Sequence, residues 1–377
     1  MSLHIGIECD RGGAGRVISE LMTHLPDAGV GFRGIMANQP KIAVDHNTVR
    51  SFAPEGAGLI RRLHSARTSL RAALHEFKPD IVASHFAMYS APGIDLLKGR
   101  LTISHFHGPW SEESLQEGED NASVATKSYL EGAVYRRSHR VIVLSNAFGD
   151  LVTTHFGVDP DRVRLVPGSV DTKRFALDTP RGDSRAALNL PLDRPLLVTV
   201  RRLVKRMGLS SLIDAMTDVV AAFPDVLLCI AGQGPLQQSL QAQTKTLGLT
   251  RNIRFLGFVA EEALPHLFYA ADVNVVPTTA LEGFGLVAAE AMATGTPSMV
   301  TPVGGLPEVV GGLSQDLIFS GTKSTDIAEA LVDALSGATK LPSRGECREY
   351  IESRFNSPLM ALRTATVYRE LLEHATA

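Results

Sequence analysis

The feature that most constrains this chain is a set of short β-rich runs that are apolar from end to end. Pro195–Val200 reads PLLVTV and Val226–Ala231 reads VLLCIA, without the alternation of a strand that shows one face to water. Continuous apolar strands belong in a parallel sheet covered on both faces. Helical patterns separate the runs almost throughout, and strand–helix–strand order of this kind predicts a doubly wound α/β architecture.

The pattern occurs twice. In the first half the expected strands are Leu3–Cys9, Asp80–Ser84, Leu101–Phe106, Val141–Ser145 and Val163–Val166, with helices at Gly15–Leu25, Leu59–Phe77, Val124–Arg137 and Ala147–Phe156. Pro167 to Asp193 carries Pro167, Gly168, Asp171, Pro180, Gly182 and Pro191, which break regular structure, and it reads as the connection between domains. Strands are then expected at Pro195–Val200, Val226–Ala231, Ile253–Gly257, Val273–Pro277 and Ser298–Thr301. Helices are expected at Leu209–Ala222, Leu236–Leu247, Glu262–Ala270 and Leu286–Thr294, and again from Arg344 to Ala377. A length of 377 residues suits two domains, placed at 1–168 and 169–357, with the C-terminal helix 358–377 packing back on the first. In open parallel sheets ligands bind beyond the carboxyl ends of the strands. Two such domains are therefore expected to face each other across a deep cleft lined by both sets of loops.

Charge and cysteine usage narrow the partners. Lys+Arg total 37 against 40 Asp+Glu, a net charge of -3, which gives no electrostatic case for nucleic acid. Cys9, Cys229 and Cys347 are far apart with no C-x-x-C pair, as in reduced thiols of a cytoplasmic protein. No apolar stretch approaches the roughly 20 residues of a membrane span, so the chain is expected to be soluble. Arg61, Arg62, Arg67 and Arg71 crowd one helix, which offers peripheral contact at the inner face of a membrane or simply a solvated surface.

The most informative stretch is Pro277-Thr-Thr-Ala-Leu-Glu-Gly-Phe-Gly-Leu-Val-Ala-Ala-Glu290, which leaves a strand, turns on glycines and opens a helix. Gly283 and Gly285 permit backbone conformations and approaches that a Cβ blocks. The N–H groups around Phe284, Gly285 and Leu286 then suit an anion or a sugar hydroxyl. Glu282 precedes the helix and can accept hydrogen bonds from hydroxyls. Glu290 lies on it, and helical side chains lean toward the N-terminus, so it can reach the same ligand.

This run, followed by A-M-A-T-G-T-P and G-G-L-P-E-V-V, resembles the E-x7-E signature of glycosyltransferase family 4, whose fold is GT-B. The resemblance covers nearly the whole chain. It implies a retaining, metal-independent glycosyltransferase with a nucleotide-sugar donor and a hydroxyl acceptor, no cofactor and no bound metal. It also implies that Glu282 contacts the donor sugar and Glu290 the ribose. Arg201-Arg-Leu-Val-Lys-Arg-Met-Gly208 resembles the family's diphosphate-binding segment, with Arg202 at the arginine position. Met207 stands where the family has lysine, so Arg206 or Lys205 must supply the second cation, Arg206 being favoured. A diphosphate leaving group held without metal needs such cations, because a helix terminus contributes only about 1–2 kcal/mol.

The same resemblance places Gly232 and Gly234 of Gly232-Gln-Gly-Pro235 beside the nucleotide, and Phe258 and Val259 against the base. Gly12 and Gly13, in Arg11-Gly-Gly-Ala-Gly15, would approach the donor diphosphate from the other domain. That loop lacks the full G-x-G-x-x-G spacing of a dinucleotide site, which argues against a nicotinamide-dependent oxidoreductase. In Ser104-His-Phe-His-Gly108, His105 and His107 alternate onto one strand face. A metal pair would need further ligands that the spacing does not supply. His107 matches the family's histidine and would face the donor sugar and acceptor. His85, His105 and Trp110 are weaker acceptor-side candidates, Trp110 lying in the acidic stretch Gly108–Asn121 that reads as a long loop. Asp159-Pro-Asp161 precedes a strand and reads as a turn. Gly168-Ser-Val-Asp-Thr-Lys-Arg-Phe175 resembles a hinge segment in which Asp171 and Phe175 are structural. A sugar-nucleotide epimerase, a phosphorylase and a catalytically silent nucleotide-sugar-binding partner share this fold and remain alternatives.

Overall fold

The computed structural model describes residues 1–7, 12–38, 48–54 and 56–376. Cys9 and Arg11, both named above, lie outside the described residues. The chain divides into two compact units: Met1–Ser169 with Ser357–Ala377, and Val170–Asn356.

Unit 1 is built on a parallel sheet of β1 (Ser2–Gly6), β2 (Phe32–Met36), β3 (Val49–Ser51), β4 (Ile81–Ser84), β5 (Leu101–Phe106), β6 (Arg140–Val143) and β7 (Val163–Leu165), in the order β3-β2-β1-β4-β5-β6-β7. Helices cover both faces. On one, Val17, Ile18 and Leu21 of the helix Gly12–His24 pack with Met360, Ala361, Tyr368 and Leu371 of the terminal helix Ser357–Thr376. On the other, Ala66, Leu70, Ala73 and Leu74 of Leu59–Phe77 cover Leu3, Ile5 and Val82.

Unit 2 repeats the plan with β8 (Leu196–Val200), β9 (Leu227–Ala231), β10 (Ile253–Gly257), β11 (Val273–Val276) and β12 (Ser298–Val300), in the order β10-β9-β8-β11-β12, again parallel. In each sheet the strand order reverses once, between β1 and β4 in unit 1 and between β8 and β11 in unit 2. Crossovers leave a gap at such a reversal, and ligands of doubly wound sheets bind there.

The structure corrects some sequence expectations and refines others. β2 and β3 are strands that the apolar-run criterion passed over, because Phe32-Arg-Gly-Ile-Met and Val-Arg-Ser carry polar or small residues. β3 is an edge strand whose Arg50 pairs with Glu76 at 2.8 Å and lies over the Phe77 ring. The acidic stretch after Gly108 is a helix, Trp110–Gln116, with Glu112 and Glu113 in its first turn where the helix dipole favours them. The next helix begins at Asn121 with Asp120 as its cap, ahead of the expected Val124. Residues 170–193 belong to unit 2 and contain two short helices, Thr172–Phe175 and Arg181–Ala187. Asp171 caps the first, and Arg185 of the second is buried against Asp272 and the Ala270 carbonyl. The C-terminal segment is two helices, Arg344–Arg354 and Ser357–Thr376. Cys229 and Cys347 are free, buried thiols.

Two glycines show how tightly unit 2 gathers its strand ends. Gly208 has φ +70°, and a Cβ there would lie 1.7 Å from the Pro277 carbonyl oxygen. Gly304 has φ +56°, and its Cβ would lie 2.0 Å from the Glu282 carbonyl oxygen. The backbones after β8, β11 and β12 are thus in contact where only hydrogen fits. Gly248, with φ +72° and open space around it, is a control for conformation alone. Gly248→Ala is expected to cost roughly 1–2 kcal/mol. Gly208→Ala should cost more than about 4 kcal/mol, the range of severe steric insertions. Equal losses in urea titrations of the two variants would refute the close-approach argument.

Candidate active site

Unit 2 assembles a charged cluster at its strand reversal. Arg201 follows β8; Thr278 and Glu282 follow β11. The Arg201 guanidinium meets Glu282 Oε2 at 2.9 Å, with the two side chains only 7% and 14% exposed. Its Nη2 also donates to Thr278 Oγ1 at 2.7 Å, and the Thr278 hydroxyl donates to Glu282 Oε2 at 3.3 Å. Sequence reasoning assigned neither Arg201 nor Thr278. The adjacent pair Arg201-Arg202 was visible, but not which arginine turns inward. Arg202 and Lys205 are exposed, whereas Met207 is buried.

Arg206, favoured as the second diphosphate cation, is buried and braces the neighbouring loop. Its Nη1 donates to the Leu281 carbonyl at 2.9 Å, and its own carbonyl accepts from Thr279 N at 2.8 Å. The brace holds Leu281 at φ +57°, a left-handed conformation that is unfavourable for a leucine. Glu282 is thereby aimed back at Arg201.

Beyond this loop, Gly285 (φ +90°) leads into the helix Leu286–Ala293, whose start has no side-chain cap. Its first-turn amides and the positive end of its dipole suit an anion. Phe284 is buried edge-on against Phe355, with ring centroids 5.3 Å apart, which anchors the turn. The helix is almost wholly buried, and Glu290 within it is 3% exposed. At the end of β9, Gly232 N donates to the Gly257 carbonyl at 2.7 Å, and a Cβ on Gly234 would lie 2.5 Å from the Leu203 carbonyl oxygen. Phe258, after β10, is 72% exposed, an apolar face without covering, and Val259 is half-buried. Arg202, Lys205, Phe284, Gly285, Leu286, Glu290, Gly232, Gly234, Phe258 and Val259 thus all fall at the carboxyl ends of unit 2's strands or on the helix that begins there.

Unit 1 places histidines at its own reversal. His4 lies on β1, His85 follows β4, His105 lies on β5 and His107 follows it. His85 and His105, named as acceptor-side candidates, are 3% and 4% exposed and form a layer behind His107. The His85 ring stacks on His105 at 4.3 Å and on His107 at 5.3 Å. His4 Nδ1 meets His85 Nε2 at 2.8 Å, His85 Nδ1 meets His107 Nε2 at 3.0 Å, and His105 Nε2 meets the Tyr368 hydroxyl at 2.8 Å. His4 and Tyr368 were not foreseen; the signal was a histidine inside an otherwise apolar strand. Among the described residues, His4, His85 and His105 bring ring nitrogens within 4.8 Å of one another and form the group that could hold a metal ion.

Burial keeps these rings neutral. It pushes His4 down to about 3 and His107 to about 4, and holds His85 and His105 well below the usual histidine range, with repulsion from neighbouring rings adding to the effect on the last two. Trp110 opens its helix, its ring tilted against Phe86 with centroids 5.4 Å apart and lying under the Lys127 ammonium at 4.7 Å. Gly12 and Gly13 are exposed at the start of the helix Gly12–His24. On the helix Leu59–Phe77, Arg67 is paired with Asp95 and Arg62 lies over Tyr89, while Leu59, Ile60 and Arg61 remain exposed. Among the described residues no helix is long and apolar enough to cross a membrane.

Two family models match the chain in tandem: Glycosyltransferase Family 4 over residues 11–174 and Glycosyl transferases group 1 over residues 180–354. The chain is 28% identical over 311 residues to a D-inositol 3-phosphate glycosyltransferase of Corynebacterium urealyticum, spanning 79% of this chain and 73% of that one. It is 34% identical over 199 residues to a GDP-mannose-dependent alpha-(1-6)-phosphatidylinositol monomannoside mannosyltransferase of Mycolicibacterium smegmatis, spanning 50% and 51%. Among solved structures, sucrose-phosphate synthase of Thermosynechococcus elongatus superposes with a TM-score of 0.82 at 23% identity over 100% of both chains. Anabaena HepE in complex with UDP-glucose gives 0.76 at 19% identity, over 100% of this chain and 99% of that one. At these identities the structural likeness speaks for the fold.

The neutral histidines predict acid sensitivity. An unfolded histidine takes up a proton near pH 6.5, whereas these do so only at much lower pH. Below about 6.5 the unfolded chain therefore binds more protons, and stability falls as pH falls, by up to about 1.4 kcal/mol per pH unit for each ring. His4→Phe removes one such group beside Phe32. Its Tm should fall less steeply than that of the wild type between pH 6.5 and 4.5. Parallel Tm profiles would show that His4 is not held neutral by the fold.

Proposed function

We propose that this chain, which belongs to glycosyltransferase family 4 and is a glycosyltransferase of GT-B fold, moves a hexose-type sugar from a uridine or guanosine diphosphate sugar to an acceptor hydroxyl. The acceptor is a glycan, a lipid-linked saccharide or a small molecule, the anomeric configuration is retained, and no divalent metal takes part. The observation that carries this reading is the Glu282–Glu290 run, folded as a glycine turn into an uncapped helix beside the buried Arg201–Glu282 pair.

Glu282, oriented by Arg201 and Thr278, accepts hydrogen bonds from donor-sugar hydroxyls. Glu290 binds the ribose, and Phe258 and Val259 cover the base beside Gly232 and Gly234. The diphosphate lies against the amides of Phe284, Gly285 and Leu286, with Arg202 and Lys205 as its cations and Arg206 as a brace. In unit 1, Gly12 and Gly13 leave backbone room for a phosphate and His107 orients hydroxyls. The bond from the anomeric carbon to the diphosphate oxygen breaks as the acceptor oxygen bonds on the same face. The acceptor proton passes to the departing phosphate oxygen. Rate then derives from positioning and from cations and dipoles already aimed at the leaving charge. Relatives that carry "GDP-mannose-dependent" in their names and a fold neighbour bound to UDP-glucose support a nucleotide-sugar donor without choosing between them. The exposed Leu59, Ile60 and Arg61 support peripheral contact with an anionic membrane surface at that helix end.

A thermal-shift panel with UDP, GDP, ADP and TDP is expected to single out UDP or GDP. A nucleotide at a hundred times its Kd stabilises the native state by about 2.7 kcal/mol. EDTA should leave both the shift and turnover unchanged; a nucleotide effect that disappears with the chelator would overturn the metal-free mechanism.

Glu282→Ala is a poor probe, because leaving Arg201 buried without its partner costs about 3–5 kcal/mol. Glu282→Gln keeps the hydrogen bonds. Glu282→Gln and Arg202→Ala are each expected to lower kcat roughly a hundredfold with circular dichroism unchanged. Wild-type turnover in either folded variant would remove that residue from the site. Acceptor-independent conversion of the nucleotide sugar would instead mark an epimerase.

A further inference from the structure

Three histidines of unit 1, His4, His85 and His107, form a single file that ends on a ring nitrogen with no hydrogen-bond partner among the described residues. Ser2 Oγ lies 3.1 Å from the Gly31 carbonyl oxygen and 2.9 Å from His4 Nε2. His4 Nδ1 meets His85 Nε2 at 2.8 Å, and His85 Nδ1 meets His107 Nε2 at 3.0 Å. His107 Nδ1 is buried and makes no hydrogen bond among the described residues. All three rings are neutral, so each carries one N–H and one lone pair. Every link needs one donor and one acceptor, and the position of a single proton therefore sets all the others.

Only two arrangements are self-consistent. If the Ser2 hydroxyl donates to the Gly31 carbonyl, His4 Nε2–H donates to Ser2, His85 Nε2–H to His4, and His107 Nε2–H to His85. His107 then presents a lone pair at Nδ1. If Ser2 instead donates to His4, every ring reverses and His107 Nδ1 carries an N–H. The second arrangement leaves the Ser2–Gly31 contact without a proton, one hydrogen bond fewer. It also buries an orphan donor, which is rarer than an under-satisfied acceptor. Both considerations favour the first.

We propose that Ser2, His4 and His85 are positioning residues that hold His107 as the Nε2–H tautomer, so that its Nδ1 lone pair is an acceptor for a substrate hydroxyl. The tautomer of a histidine is set by what its other nitrogen bonds, and here that instruction is relayed through two further rings from a serine on β1. A buried acceptor left unmet costs about 1–3 kcal/mol, which a hydroxyl of the bound substrate relieves. The cluster is not read as a metal site. His4 Nδ1 and His85 Nε2 face each other at hydrogen-bond distance with a proton between them, and a metal on both nitrogens would have to replace it. Only the identity of the hydroxyl rests on the proposed sugar transfer.

The test is proton–nitrogen correlation spectroscopy on the full chain labelled with nitrogen-15 histidine, His107 being identified by the signals that vanish in His107→Asn. Wild-type His107 is expected to carry its proton on Nε2 alone. Ser2→Ala, a small change that keeps the fold, removes the anchoring hydroxyl and should move the tautomer ratio roughly fivefold toward Nδ1–H, the equivalent of one net hydrogen bond. His85→Leu should do the same, and His85→Gln, which can accept at one end and donate at the other, should restore the wild-type pattern. An Nδ1–H signal in the wild type, or an unchanged spectrum in Ser2→Ala, overturns the proposal. So does tight uptake of equimolar zinc that shifts the His4 and His85 nitrogens. Adding UDP-glucose or GDP-mannose should move the Nδ1 resonance where UDP or GDP alone does not. If a donor binds by thermal shift and Nδ1 does not move, the hydroxyl role falls. If no donor binds, it is the transferase reading that falls, and the tautomer result stands.

Discussion

The buried pair between Arg201 and Glu282 is the contact on which the geometry of unit 2 depends. It joins the loop after β8 to the loop after β11 across the reversal in strand order. Two largely desolvated charges are tolerable only when each satisfies the other and further hydrogen bonds complete the set, and Thr278 provides those. Around the pair, Arg206 holds Leu281 in a left-handed turn, and Gly208 and Gly304 let backbones touch. The loop is therefore already arranged before any ligand arrives. A site meant to stabilise developing charge needs that, because dipoles that must reorganise contribute less.

The two units solve the same topological problem with opposite chemistry. At its reversal, unit 2 gathers formal charges and an uncapped helix end, suited to an anionic diphosphate. Unit 1 gathers imidazoles that burial keeps neutral. Neutral rings offer hydrogen bonds without adding charge, which suits the recognition of hydroxyls. Their mutual stacking and the Tyr368 hydroxyl fix ring orientations that side chains on loops alone would not hold.

Much of this was legible beforehand, for reasons that differ from element to element. Continuous apolar runs revealed β8, β9 and β11 because central parallel strands are buried on both faces. The same criterion passed over β2 and β3, where Arg33, Gly34 and Arg50 interrupt the run and an edge strand tolerates solvent on one side. The acidic stretch after Gly108 read as a loop because its glutamates suggested solvation, although Glu112 and Glu113 favour a helix N-terminus. Proline and glycine marked 170–193 as irregular, whereas Arg185 reaching Asp272 draws it into unit 2. Glu282, Glu290, Gly285 and His107 were named from the glycine turn and the family resemblance, which are read in local order. Arg201, Thr278, His4 and Tyr368 were not, because their roles come from residues between roughly 80 and 260 positions away, or from which of two adjacent arginines turns inward.

The amino-acid sequence alone determined the class of fold, its duplication and the family, since strand burial, helix period and the E-x7-E run are written in local order. Tertiary structure alone decided which charges meet and which rings line up. Those outcomes depend on parallel strands distant in the chain being laid side by side, so that Ser84 pairs with Ser104 and His85 and His105 emerge together. Spacing along one strand cannot carry that information, because hydrogen bonds and ion pairs respond to distance in space, and the sheet order sets that distance.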